Sequence, residues 1–169
     1  MSVASVTWKP DEFVADVREA VAVGLTAGAE VIADEMRRNM GSEGGRPLGR
    51  TDVVAFTTRS GNGIVFKVKK RFTLYAAAPE GAFPGIRTGQ LRRSIMHTNA
   101  TANNLIASAG SASGKQDRYG LWLEYGTKKM APRPWIFRSF NRAKDKAFEA
   151  MADASRAAFQ RIAETRAEQ

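Results

Sequence analysis

The chain has 169 residues, with 26 Lys and Arg against 17 Asp and Glu, giving a formal charge of +9 and a pI near 10.3. It has no cysteine and a single histidine, His97, which excludes a disulfide scaffold, a thiolate zinc site, a cysteine nucleophile and a two-histidine metal site. The length suits one domain with a core of its own. The positive charge is concentrated. Residues 1–40 hold four basic and seven acidic side chains, whereas residues 41–140 hold 16 basic and five acidic ones. A basic middle of this kind favours anionic partners.

The N-terminal stretch shows no basic segment followed by an apolar run, so no targeting peptide is predicted. A helix is expected over 11–40. Pro10, Asp11 and Glu12 suit its start, and Arg37, Arg38 and Gly41 suit its end. Phe13, Val17, Val21, Leu25, Ile32 and Met36 recur at helical spacing and form its expected apolar face. Gly24 and Gly28 mark either close packing or a bend, since each costs up to ~1 kcal/mol against alanine. The longest helical candidates carry charges throughout, so no membrane span is predicted.

Residues 41–52 contain four glycines and a proline and read as a loop. Residues 53–133 read as a β-rich core with loops. Val53–Thr58 and Ile64–Val68 are strand candidates around a Ser60–Gly63 turn, the pattern of a hairpin. Arg71–Tyr75 extends the second strand. A second Pro/Gly-rich loop covers 76–89. Gln90–Ile95 is either a short helical turn or the start of a strand. Asn104–Ala109 reads as a strand, Gly110–Gly114 as a turn, and Tyr119–Tyr125 as a strand or short helix beside the core. Pro132 and Pro134 break the chain before a second long helix over 134–163. Its apolar positions are Phe137, Phe140, Ala147, Met151, Ala154, Ala158 and Ile162, and the tail 164–169 is expected to fray. The order implies a single α+β domain: a long N-terminal helix, a small antiparallel or mixed sheet with a hairpin, and a long C-terminal helix.

Catalytic signals are weak. Gly110–Lys115 has three residues between its glycines and no Ser or Thr after the lysine, so it departs from the phosphate loop. His97 lacks a serine elbow or paired carboxylates, which favours a structural histidine over a hydrolase base. No catalytic residue, cofactor site or metal site is assigned. Glu124 lies within Leu121-Trp122-Leu123-Glu124-Tyr125. It sits either on the wet face of a strand or buried beside a cation such as Arg92, Arg93 or Arg133. Lys67, Lys69, Lys70 and Arg71 form one basic cluster, and Arg87, Arg92 and Arg93 another, interleaved with Phe66, Phe72, Tyr75 and Phe83. They suit non-specific contacts to DNA or to an acidic partner, or a lysine-protected strand edge.

Two stretches are more specific. One is Ile86-Arg87-Thr88-Gly89-Gln90-Leu91-Arg92-Arg93-Ser94-Ile95. The other runs from Tyr119 through Glu124-Tyr125-Gly126-Thr127 to Arg133-Pro134-Trp135-Ile136. Together with the flanking helices, they resemble the tail-completion or neck proteins of tailed bacteriophages, the head–tail joining family typified by the HK97-like minor tail component. The resemblance implies a structural virion protein without catalysis. It would be made in the host cytoplasm and built into the neck or tail as a homo-oligomeric ring, hexameric in many relatives, around the DNA channel. Implied partners are the head connector or stopper, the tail terminator and the tail tube, with DNA in the lumen. It also implies roles for motif residues. Gly89 permits the turn before Leu91 and Ile95 dock, with Arg92 beside them. Gly126 and Thr127 form a tight exit from a core strand. Arg133 and Pro134 place the last helix, and Glu124 bridges to arginine. The stretch 41–85 departs from the family pattern. The alternative reading is a basic accessory protein that binds nucleic acid without sequence preference.

Overall fold

The computed structural model describes residues 9–43, 47–59, 65–75, 78–86, 89–112 and 115–167. It shows an α+β fold dominated by two long helices, α1 (Pro10–Asn39) and α4 (Ile136–Ala167). Between them in the chain lie β1 (Pro47–Arg59), β2 (Val65–Tyr75), α2 (Gln90–Ser94), β3 (Ile95–Thr98), β4 (Ser108–Ser111) and α3 (Lys115–Tyr125).

The long helices pack antiparallel. Asn39 at the end of α1 donates to Ser139 at the start of α4, at 3.2 Å. At the far end Arg166 bonds Glu12 and, at 2.9 Å, Asp16. The seam between them is built from small residues. On α1 the buried positions include Ala20, Ala22, Gly24, Gly28, Ala29 and Ala33, and on α4 they are Ser139, Ala143, Ala147 and Ala158. Gly24 and Gly28 are sites of close packing, as one of the two sequence readings has it. A Cβ on Gly24 would lie 1.9 Å from Ser155 Oγ and 2.6 Å from the Met151 carbonyl, and one on Gly28 would lie 2.4 Å from Met151 Cγ. The expected apolar face of α1 is corrected accordingly. Phe13 and Val21 are exposed, because the backbones approach too closely to admit large side chains between them.

The main core lies at one end of this pair, where Met36 of α1 and Met40 just after it meet Phe83, Leu91, Ile95, Leu123 and Trp135. Two separate two-stranded antiparallel sheets replace the single sheet expected. In the first, β1 pairs with β2 from Arg59↔Val65 to Pro47↔Tyr75, with one extra β1 residue at Leu48 and another at Val53. The strand therefore starts inside the stretch 41–52 that composition marks as loop. The expected Ser60–Gly63 turn and Ile64 lie outside the described residues. In the second, β3 pairs with β4 from Ile95↔Ser111 to Thr98↔Ser108. Gly110 and Ser111 thus belong to a strand rather than a turn, whereas residues 104–107 precede it.

Other boundaries also shift. Tyr119–Tyr125 is helical, in α3. Gln90–Ile95 is both of the things its sequence allows, a helical turn that hands over to β3 at Ile95. Helix α4 starts two residues after Pro134 and runs through the stretch expected to fray as far as Ala167. Among the described residues, no helix is long and apolar enough to cross a membrane.

Candidate functional site

The second motif forms the junction between α3 and α4. Glu124, near the end of α3, is 8% exposed. Its Oε2 accepts from the backbone N–H of Trp135 at 2.7 Å and of Ile136 at 2.8 Å, and its Oε1 accepts from Phe137 N–H at 3.1 Å. These are the donors that open α4, where no preceding turn can satisfy them. A carboxylate there also meets the positive end of the helix dipole. Glu124 is on a helix rather than the wet face of a strand. It is buried, as the second reading has it, and among the described residues the hydrogen bonds it accepts come from a helix N-terminus.

The connection between the helices is equally constrained. Gly126 ends α3 at φ +75°, and a Cβ there would lie 2.8 Å from the Met130 carbonyl. Glycine is required for this left-handed exit, which leaves a helix rather than the core strand expected. Thr127 N–H donates to the Met130 carbonyl at 2.8 Å, and the Met130 N–H donates back at 3.2 Å. Arg133 N–H donates to the Leu123 carbonyl, and its Nε to the Ala78 carbonyl, both at 2.6 Å. Arg133 therefore ties the linker to α3 and to the 78–86 loop, and Pro134 follows it two residues before α4. Trp135 is 1% exposed, and its Nε1 donates to the Gly120 carbonyl at 3.0 Å. Gly120 admits the indole: a Cβ there would lie 3.1 Å from Trp135 Cζ2.

The first motif feeds the same core. Gly89 has φ +72°, and its carbonyl accepts from Arg93 N–H at 3.0 Å to start α2. Leu91 and Ile95 are buried, and Arg92 is exposed. The Ile95 carbonyl accepts Nε and Nη2 of Arg37 at 3.1 and 2.8 Å, which fastens β3 to α1. Arg87 and Thr88 lie outside the described residues.

A charged clamp closes the opposite side of the junction, and it is absent from the sequence expectations. Phe83 is fully buried, with the guanidinium carbons of Arg138 and Arg142 at 4.3 and 4.6 Å from its ring centroid. Glu43 accepts Phe83 N–H and Arg138 Nη1, both at 3.0 Å, and Arg142 Nη2 at 3.2 Å. The Phe83 amide, then Arg138 and Arg142, hold the Glu43 carboxyl below the usual glutamate range. Glu43 is 40 residues from Phe83 and more than twice that from either arginine, so no local pattern announces the set. The aromatic and basic character of Phe83, Arg138 and Arg142 is the only signal in the sequence.

The junction buries its motif and leaves aromatics outside. Leu121, Trp122, Tyr125, Phe137 and Phe140 are all exposed, Tyr125 at 78% and Phe137 at 65%. Tyr125, Phe137 and Phe140 rim a groove of about 340 Å³ floored by Ile32, Met36 and Ala109. Helical spacing puts Phe137 and Phe140 on the buried face of α4, and this too is corrected. Ala147 and Ala158 are buried as expected, but Ser139 and Ala143 occupy the buried face in place of Phe137 and Phe140.

The basic cluster lies on β2. Lys67, Lys69 and Arg71 pair in register with Thr57, Ala55 and Asp52, and Lys70 with Val54. His97 lies on β3 opposite Ala109, and among the described residues its buried Nδ1 has no hydrogen-bond partner. Among the described residues, no group of three or more His, Asp or Glu is placed to hold a metal. Comparison with protein-family models, curated proteins and solved structures finds no match.

Proposed function

We propose that this chain is a head–tail joining protein of a tailed bacteriophage, of the tail-completion or neck class, which assembles as a homo-oligomeric ring around the DNA channel. The observation that carries the reading is the aromatic surface at the α3–α4 junction. Large apolar side chains stand in solvent on the very segment that carries the family-like motif. Contiguous apolar surface of this kind marks an interaction site on soluble proteins. The polar groups of the motif are engaged in holding the junction. Glu124 caps α4, and Arg133 binds backbone carbonyls. A motif used this way serves to present a surface, which suits an assembly subunit that acts through contact.

The partners on this reading are further copies of the chain, the head connector or stopper, and the tail terminator or tail tube. The test is complementation of particles that lack the protein. Micrographs should show unjoined heads and tails, and adding the purified chain should restore joined particles. Normal joining without the protein would overturn the reading.

The basic run Lys67, Lys69, Lys70 and Arg71 favours a second reading, non-specific binding of nucleic acid. Such binding would weaken steeply with salt. Replacing Lys67, Lys69, Lys70 and Arg71 with glutamine should abolish retention of duplex DNA at low salt. Absence of any low-salt binding by the unaltered chain would remove this reading.

A further inference from the structure

The apolar stripes of the two long helices lie along one flank of their seam. On α1, Phe13 and Val21 are exposed, and Val17, Leu25 and Ile32 are half-buried. On α4, Phe137, Phe148 and Phe159 recur every 11 residues, close to three turns, so they stay on one line. They are exposed at 65%, 63% and 38%. Contacts at both ends bring the two stripes to the same side. Ile32 shares the junction groove with Phe137 and Phe140. At the far end Phe13 meets Phe159 edge to face, with ring centroids 6.1 Å apart. The other flank is charged. Its cleft is lined by Glu12, Glu19, Arg161 and Arg166. Glu19 and Arg161 stand about 200° around their helices from Val21 and Phe159.

From Phe137 to Phe159 this flank is about 33 Å long at 1.5 Å per residue. We propose that it is closed by the same flank of a second copy, in an antiparallel two-fold pair. Like surface meets like, as a two-fold contact requires. The area suffices. The exposed parts of Tyr125 and of Phe13, Phe137, Phe140, Phe148 and Phe159 amount to roughly 650 Å² on each copy, at about 200 Å² for a whole aromatic side chain. Val14, Val21 and the half-buried residues of α1 bring this near the ~800 Å² per partner of a standard interface. Lys144, two turns after Phe137, is tolerated there because its stem covers apolar surface while its ammonium reaches water. Charge sets the direction. Residues 118–142 at the junction end carry six Lys and Arg against Glu124 alone, and Glu43 beside them leaves an excess. Residues 9–19 and 153–166 at the far end carry five basic and six acidic side chains. An antiparallel pair sets each basic end on a slightly acidic one, whereas a parallel pair stacks two basic ends. The pair concerns the free chain and does not rest on the neck reading. On that reading, ring assembly exchanges the two-fold contact for one that repeats around an axis.

The absence of cysteine makes the test direct. Ala152 is exposed one turn beyond Phe148, midway along the flank and so near the two-fold axis. Full-length Ala152→Cys alone should give covalent dimers with a flexible bis-maleimide. Asn141 and Ala163 are exposed toward opposite ends of the flank, so Asn141→Cys and Ala163→Cys should cross-link when mixed and not singly. In parallel, Phe137→Lys and Phe148→Lys should each raise the concentration needed for pairing by about tenfold or more, as loss of an aromatic anchor does. Both should keep the helical circular dichroism of the parent, because these rings stand outside the seam and the core. The melting temperature of the parent should rise with concentration, and that of the variants should not. A chain that stays monomeric at tens of micromolar would overturn the proposal and leave the flank to an unlike partner, such as an amphipathic helix of another protein. So would an oligomer that persists in both lysine variants, or one that Asn141→Cys cross-links alone. Sizing and cross-linking judge this contact, whereas the joining of heads and tails judges the neck reading, so either can fail without the other.

Discussion

The α1–α4 seam and the α3–α4 junction solve the packing problem in opposite ways. The seam buries Ala, Gly and Ser and leaves Phe13, Phe148 and Phe159 outside. The junction buries Trp135 and Phe83 and holds them with charge: Glu124 on the α4 N-terminus, and Arg138 and Arg142 over Phe83. The seam gains from close approach of two backbones over 30 and 32 residues. It is vulnerable to added volume. The junction gains from large apolar groups packed beside a fully capped helix start, and it is vulnerable to deletion. The contrast shows where a surface can be built. A seam of small residues forces large side chains outward on both helices. A capped junction fixes the direction in which the outward aromatics Tyr125, Phe137 and Phe140 are presented.

The largest effect is expected from Trp135→Ala, which empties the centre of the junction. It should cost about 3–5 kcal/mol in denaturant unfolding. A loss below about 1 kcal/mol would mean that the seam alone carries the fold. Next comes Glu124→Ala, which strips three N–H groups of their acceptor and should cost about 2–3 kcal/mol. Glu124→Gln keeps one acceptor oxygen and should recover part of that loss. If Gln and Ala are equally harmful, charge at the helix end decides; if Gln equals the parent, hydrogen bonding alone does. At the seam, Gly24→Ala adds a methyl against the Met151 carbonyl and should cost about 1–3 kcal/mol despite the better helix propensity of alanine. Gly28→Ala meets only the flexible Met151 side chain from close range and should cost less than Gly24→Ala. The reverse order would show that the seam is not packed as described.

The smallest effect concerns the Glu43 clamp. The Phe83 amide, then Arg138 and Arg142, depress the Glu43 carboxyl. A group whose folded value is lowered contributes stability above its unfolded value, near ~4.3 for glutamate, and loses it as pH falls through the lower folded value. The melting temperature should therefore fall as pH drops below about 4.3. Glu43→Gln should flatten part of that slope while barely moving the melting temperature at neutral pH, since the clamp is partly exposed and screened. An unchanged acid slope in Glu43→Gln would remove the clamp from the junction's stability.

Much of the junction is legible in sequence because its cues are local. Gly89 and Gly126 sit where only a left-handed residue serves, and Pro134 stands just before a helix start. Leu91 and Ile95, four apart, both reach the core. The misplaced side chains share one cause. Phe13, Val21, Phe137 and Phe140 have the spacing of a buried face, but periodicity reports that a stripe exists and not which stripe the neighbour covers. The Ala, Gly and Ser stripe shares the same helices and the same period. Tyr119–Tyr125 is apolar enough for a strand. It is a helix because Gly120 must lie under Trp135 and Glu124 must reach the first turn of α4.

Propensity, periodicity and backbone sterics, each acting within a few residues, suffice for the two long helices, the hairpin pattern and the glycines that punctuate the motifs. Composition alone sets the limits on metal and thiol chemistry. Three features needed the folded chain: Glu124 as a helix cap, Glu43 reaching Arg138 and Arg142, and aromatics standing outside a seam of small residues. The clamp joins residues 95 and 99 apart and the cap joins residues 11 to 13 apart across a turning linker, and in both the partner is set by how the chain folds back, which a linear pattern does not encode.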